Sequence, residues 1–191
     1  STLDFFATAR SVVNDMAITE IYTKVPASLS QLMEDERLTV FYVVPLVLTH
    51  LLDHGALDQR DLSALRWVLF GGEPFPRKHL RRLMAQWPHA RFCNIYGPTE
   101  TNGVTYHIVP PLAERGEGNS STADDAPQDE TPLPIGQLYG NVEALVLGQD
   151  DAPVADGEAG ELAIRAPSMM RGYWNQPDLN AQAFYPRTAF D

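Results

Sequence analysis

Asn94-Ile95-Tyr96-Gly97-Pro98-Thr99-Glu100 gathers an amide, an aromatic ring, a hydroxyl and a carboxylate into seven residues. Those groups suit a nucleotide. A phenol ring can stack on a base, and an amide can bond the exocyclic amine of a purine. The Thr99 hydroxyl can bond an α-phosphate, and the Glu100 carboxylate is a hard-oxygen ligand for magnesium. Between the ring and the phosphate-binding groups, Gly97-Pro98 turns the chain. Earlier in the sequence, Gly71 and Gly72 lack side chains and let backbone come close to a flat ligand. The same seven residues also read as an ordinary turn, with Tyr96 in the core and Glu100 on the surface, so their setting has to decide.

That setting is an alternation of strand and helix signals over residues 24–108. Ser28 with Gln31 predicts a capping box before Leu29, Leu32 and Met33. Leu38 to Val44 is a continuous β-favouring run, suited to a strand buried on both faces. Pro45 is placed to open a helix carrying Leu48, Leu51 and Leu52, and Gly55 to end it. A strand at Arg66–Phe70 breaks at Gly71-Gly72. The next helix begins near Pro76 with Leu80, Leu83, Met84 and Trp87 on one face and Arg77, Lys78, Arg81 and Arg82 around the rest, read as a solvated face. A strand from Arg91 to Tyr96 follows. Strands separated by helices predict a parallel sheet, whose ligands sit beyond the carboxyl ends of its strands. Tyr42, Gly71-Gly72-Glu73 and Tyr96 to Glu100 all fall at those ends.

Fourteen basic residues against twenty-five acidic ones give a net charge of −11, which argues against nucleic acid or an anionic membrane as the main partner. Much of that charge is local: residues 111–132 hold Glu114, Glu117, Asp124, Asp125, Asp129 and Glu130 against Arg115 alone. This stretch reads as a flexible acidic loop separating an α/β part, residues 1–110, from a β-rich part, residues 133–191. In the latter, Val142–Leu147 and Glu161–Arg165 predict a hairpin from a small barrel-like unit. The single cysteine, Cys93, excludes an internal disulfide and reads as a small core residue. The five histidines show no metal-ligand spacing. With no apolar run of membrane-spanning length and no signal-peptide pattern, a cytoplasmic location is expected.

Four segments in a fixed order add specificity that the single loop lacks. They are Gly71-Gly72-Glu73-Pro74-Phe75-Pro76, Asn94 to Glu100, Pro134-Ile135-Gly136, and Gly160-Glu161-Leu162-Ala163-Ile164 running on to Met170-Arg171-Gly172-Tyr173-Trp174-Asn175-Gln176-Pro177. In these the chain resembles the adenylate-forming superfamily, and within it the amino-acid adenylation domains of nonribosomal peptide synthesis. The resemblance runs from Ser1 to Asp191. It implies that Tyr96 stacks on adenine, Asn94 binds the adenine amine, Thr99 binds phosphate and Glu100 binds magnesium. Gly71, Gly72, Glu73 and Gly97 fall with the nucleotide-binding set. ATP and magnesium are the implied cofactors, an amino acid the substrate, and a peptidyl carrier protein the partner. The Arg171-Gly172-Tyr173-Trp174 stretch is implied to be structural. Ala166 and Leu138 depart from the family pattern, where glycine and proline are usual.

Positions matching the family's specificity pocket are Leu3, Tyr42, Leu69, Gly71, Ile95, Gly103 and Val104. Apart from the Tyr42 hydroxyl they are apolar or glycine, so a charged substrate side chain would be left unpaired. An uncharged, mostly apolar amino acid is expected. The aliphatic wall resembles that of proline-activating members, while two glycines leave room for a larger group. Ser1 opens without an initiator methionine, and the segment at Asp191 closes without a terminal element. The resemblance therefore implies a central piece of a larger enzyme. The phosphate loop, the ribose-binding aspartate and the carboxy-terminal catalytic lysine are expected outside it, and the isolated piece is expected to be inactive. A piece of an acyl-CoA ligase and a non-catalytic binding or scaffold module remain as alternatives.

Overall fold

The computed structural model describes residues 11–12, 26–112, 131–149 and 151–184. Two units divide the chain. The first comprises residues 1–96 and 106–136, the second residues 97–105 and 137–191.

The first unit is built on the strands β1 (Ser11–Val12), β2 (Val40–Val43), β3 (Trp67–Gly71), β4 (Arg91–Tyr96) and β5 (Thr105–Val109), ordered along the sheet as they are in the chain. Between the strands lie the helices α1 (Pro26–Asp35), α2 (Pro45–His54) and α3 (Arg77–Gln86). β1 to β4 pair in parallel, with Tyr42 opposite Leu69, Leu69 opposite Cys93, and Gly71 opposite Ile95. Because side chains alternate across a strand, this register sorts residues onto two faces. Phe41, Val43, Val68, Phe70 and Phe92 join Leu29, Met33, Leu48, Leu51, Leu80 and Leu83 in the main core. Phe41, Phe70 and Phe92 are essentially inaccessible, and truncating any one of them to alanine should cost about 3–5 kcal/mol. Among the described residues, the opposite face buries the smaller cluster of Val40, Leu69 and Cys93, flanked by Trp67, Ile95 and Tyr106. Tyr42 on that face is 41% exposed, so the run through β2 is not buried on both sides along its whole length.

Helix signals hold where proline and glycine set them. Pro45 opens α2, and the Gly55 N–H closes it on the Leu51 carbonyl at 2.7 Å. The capping box does not form. α1 begins at Pro26, so Ser28 lies inside the helix, and the Gln31 amide turns to Glu34 and Asp35 instead. Nor is the basic face of α3 wholly solvated. Arg81 is buried, the Arg77 guanidinium donates to the Thr131 carbonyl at 2.7 Å, and Arg82 meets Asp53 at 3.3 Å.

The wholly parallel sheet and the barrel-like portion are both corrected. The sheet is mixed, and among the described residues no sheet closes on itself. Only residues 97–104 link β4 to β5. That is shorter than the dozen or more residues a parallel crossover requires, so β5 cannot continue the parallel series. In the second unit the strands are β6 (Gln137–Leu138), β7 (Glu143–Leu147) and β8 (Glu161–Arg165). The expected hairpin is present, with β7 and β8 antiparallel from Glu143 opposite Arg165 to Leu147 opposite Glu161. These two strands form a sheet of their own, and two strands cannot satisfy the tilt and stagger of a closed barrel. The unit ends its described part in a short helix, α4 (Pro177–Ala183). No helix among the described residues is long and apolar enough to cross a membrane.

Candidate active site

The carboxyl ends of β2, β3 and β4 carry predicted site residues on both faces of the first unit's sheet. Tyr42, Leu69, Gly71 and Ile95 share the face of the smaller cluster, while register and alternation put Asn94 and Tyr96 on the other. The sheet thus separates the expected side-chain pocket from the expected base-binding groups. Leu69 is buried, Ile95 half-buried, and partial burial raises the Tyr42 phenol above its ordinary pKa.

Gly71 has a reason of its own. A Cβ there would lie 2.1 Å from the Ile95 carbonyl oxygen on the neighbouring strand. Gly72 follows with φ of +91°, a conformation that side chains disfavour, and a Cβ there would make only an ordinary contact with Val44 Cγ1 at 3.7 Å. Glu73, counted with the nucleotide set, accepts a hydrogen bond from the Leu46 N–H at 2.7 Å. That N–H is one of the unpaired donors in the first turn of α2, where Val44 supplies no side-chain cap. Asn94 donates its amide nitrogen to the Pro134 carbonyl at 2.9 Å. This ties the Pro134-Ile135-Gly136 segment to β4 and leaves the Asn94 Oδ1 as an acceptor. Tyr96 is 37% exposed.

The second unit contains the rest of the predicted loop. The Thr101 N–H bonds the Pro98 carbonyl at 3.1 Å, so Thr99 and Glu100 occupy the tip of a turn. A Cβ at Gly97 would fall 1.7 Å from the Asn102 carbonyl oxygen, which reserves that position for glycine. The Thr99 side chain is exposed, with no partner among the described residues, and Glu100 is half-exposed. Gly103 is half-buried, and Val104 is fully buried with its carbonyl accepting the Tyr139 N–H at 3.0 Å. Leu3 lies outside the described residues, as does most of the acidic segment.

Sequence reasoning missed the residues that hold this loop. The Tyr173 hydroxyl donates to Glu100 Oε1, the Met170 N–H reaches the Glu100 carbonyl at 2.7 Å, and Ser168 Oγ donates to the Thr101 carbonyl at 2.6 Å. The bond from Tyr173, then one from the Glu100 backbone N–H, lowers the carboxyl pKa of Glu100. The reciprocal effect raises the Tyr173 phenol. Tyr173 is held in turn by Asn180 of α4. Asn180 accepts the Tyr173 N–H at 2.7 Å and donates to its carbonyl at 3.1 Å.

The sequence matches the family described as AMP-binding enzyme over residues 14–174. The chain belongs to that family. Among AMP-binding enzymes and related ligases it is similar to an L-proline–[L-prolyl-carrier protein] ligase of Pseudomonas fluorescens, 31% identical over 93% of this chain and 33% of the relative. A protein of the same description from Streptomyces coelicolor is 33% identical over 93% of the chain and 31% of the relative. Among solved structures, the crystal structure of CmiS6 superposes with a TM-score of 0.71 at 29% identity, covering 87% of this chain and 37% of that one. The chain spans about a third of the length of these relatives.

Magnesium and ATP, which the family implies, can be tested against the donor set. Among the described residues no group of three or more His, Cys, Asp or Glu side chains could hold a metal by itself. Magnesium needs no such cage when substrate phosphates supply most of the oxygen ligands. A single ionised carboxylate at a turn tip is then sufficient from the protein. Glu100 is such a group, and no basic side chain pairs with it among the described residues. The residues fit the group.

Proposed function

We propose that the protein containing this chain activates an uncharged, mostly apolar amino acid with ATP. In that reaction the substrate carboxylate attacks the α-phosphorus, pyrophosphate leaves, and the aminoacyl-adenylate passes its acyl group to the thiol of a carrier protein. The observation carrying the reading is the division at the carboxyl rim. An amide acceptor and an exposed ring lie on one face of β4, and a pocket wall without charged groups lies on the other. Membership of the AMP-binding enzymes supports the nucleotide half, and similarity to two prolyl-carrier ligases supports a small, uncharged substrate and a carrier partner.

In this reading Asn94 Oδ1 accepts from the adenine amine while Tyr96 covers the base. Gly71, Gly72 and Gly97 keep side chains away from the nucleotide, and Glu73, of the same set, holds the first turn of α2. The Thr99 hydroxyl donates to the α-phosphate, and Glu100 holds magnesium. When bound, the ion neutralises charge on the phosphate oxygens. A role in substrate specificity is proposed for Leu3, Tyr42, Leu69, Gly71, Ile95, Gly103 and Val104. A charged side chain there would stay unpaired at a cost of several kcal/mol, roughly 3 or more.

ATP–pyrophosphate exchange by the full-length protein, run across a panel of amino acids, tests this reading. Proline and other uncharged apolar amino acids should give the highest rates. Preference for Asp, Glu, Lys or Arg would refute the pocket assignment. Acyl transfer to coenzyme A in place of a carrier protein would point to an acyl-CoA ligase.

A further inference from the structure

We propose that Tyr173 is a positioning residue for the metal-binding carboxylate of Glu100; this deepens the functional reading above and rests on it. The two residues are far apart in sequence, yet the Tyr173 hydroxyl donates directly to Glu100 Oε1. The contact is not an isolated surface encounter. The Met170 N–H holds the Glu100 carbonyl, and Ser168 Oγ holds the Thr101 carbonyl, so the loop from Ser168 to Tyr173 fixes the backbone of the turn. Asn180 then fixes Tyr173 itself, bonding both its N–H and its carbonyl. A Cβ at Gly172 would lie 3.0 Å from Asn180 Oδ1, and Gly172 has φ of +143°, so a larger residue would disturb this clamp.

The two sets of bonds act differently. Ser168 and Met170 reach only backbone of the turn, whereas Tyr173 reaches the carboxylate, where its bond adds to that of the Glu100 backbone N–H. A glutamate at an exposed turn tip rotates freely about its side-chain bonds and loses that freedom on binding a cation. Magnesium demands near-octahedral geometry at short distances, so a freely rotating ligand carries an entropic cost at every binding event. One phenol donor on one carboxylate oxygen removes that rotation beforehand. The hydroxyl is neutral, so it orients the carboxylate without cancelling the charge that attracts the cation. Partners of metal ligands commonly contribute ten- to a hundredfold in metal affinity.

The test uses the full-length protein, with Mn2+ as an EPR-visible probe and α,β-methylene-ATP as a nucleotide that cannot react. Tyr173→Phe keeps the ring and deletes the donor. It should raise the Mn2+ dissociation constant at least about tenfold, while the nucleotide affinity measured without metal stays at the wild-type value. In pyrophosphate exchange the same variant should need about tenfold more Mg2+ for half-maximal rate, with the amino-acid KM unchanged and the rate recovered at high Mg2+. Ser168→Ala removes a bond to the same turn without touching the carboxylate and should lose less Mn2+ affinity than Tyr173→Phe. Adding Tyr173→Phe to Glu100→Gln should cost nothing more than Glu100→Gln alone, because the hydroxyl acts through that carboxylate.

Wild-type Mn2+ affinity in Tyr173→Phe overturns the proposal, as does a loss equal to that of Ser168→Ala or additivity with Glu100→Gln. The functional reading fails separately. If wild type forms the Mn2+–nucleotide complex, and Tyr173→Phe weakens it, but no amino acid stimulates exchange, the positioning role stands and the proposed reaction falls.

Discussion

Replacing Gly71 with alanine separates two reasons for a glycine at the edge of a candidate site. If only a ligand's approach requires it, alanine leaves the fold intact and impairs activity. The structure gives a different answer. The new Cβ would sit 2.1 Å from the Ile95 carbonyl oxygen, against a 3.0 Å floor for real contacts of this kind. β3 and β4 must therefore part by about 0.9 Å at a spacing normally near 4.8 Å. Overpacking of this sort costs about 1–3 kcal/mol, and weakening one or two ladder hydrogen bonds adds about 1 kcal/mol. The expected loss is about 2–4 kcal/mol. Gly72→Ala is the internal control, since its Cβ makes an ordinary contact with Val44 Cγ1 at 3.7 Å and the cost is mainly the backbone strain of φ +91°, about 1–2 kcal/mol. Native-state hydrogen exchange of the full-length protein, read on peptides covering β3 and β4, is the assay. Protection in Gly71→Ala should fall about 30- to 1,000-fold, and in Gly72→Ala by at most about 30-fold. Wild-type protection in Gly71→Ala, or a larger loss in Gly72→Ala, would refute the reasoning.

Three further expectations follow from single contacts. Glu73→Ala should destabilise the protein by about 1 kcal/mol by removing the acceptor for the Leu46 N–H, and Glu73→Gln by less, as measured by urea denaturation. Asn94→Ala should raise the KM for ATP about three- to tenfold and leave the amino-acid KM unchanged in exchange assays, because one hydrogen bond to the base is lost. Burial pushes the Cys93 thiol up to about 11 from 9.0, so the folded state resists its ionisation. Stability from this group is complete below pH 9 and is lost as pH rises towards 11, a total of about 2–3 kcal/mol. The difference in unfolding free energy between wild type and Cys93→Ala should therefore shrink across that window. A constant difference would contradict it.

What the sequence disclosed, and what it hid, follows from the range of the forces involved. Pro45, Gly55 and the 3.6-residue spacing of Leu80, Leu83 and Met84 act locally, so the boundaries of α2 and the buried face of α3 were readable. β4 was readable from Arg91 to Tyr96 because a short run with Phe92, Cys93, Ile95 and Tyr96, ended by Gly97-Pro98, is written into consecutive residues. Ser28 misled because a proline two residues earlier was the stronger helix start. The direction of β5 and the absence of a barrel depend on link length and strand count, and hydrophobic alternation carries neither. At the site, the residue types of the Asn94–Glu100 loop were legible. The bonds from Tyr173 to Glu100, from Glu73 to Leu46 and from Asn94 to Pro134 were not, because each joins residues that no local period relates. The ordered segments Pro134–Gly136 and Arg171–Trp174 were the available clue, since each supplies one of those partners.

The central claim is that the protein carrying this chain uses ATP to adenylate an amino acid. Product analysis with ATP labelled in the adenosine moiety addresses it directly. In the presence of an uncharged apolar amino acid and the carrier protein, the full-length protein should release AMP and pyrophosphate in equal amounts, and Glu100→Gln should suppress both. Release of ADP and phosphate, or AMP formation indifferent to the amino acid, would contradict it.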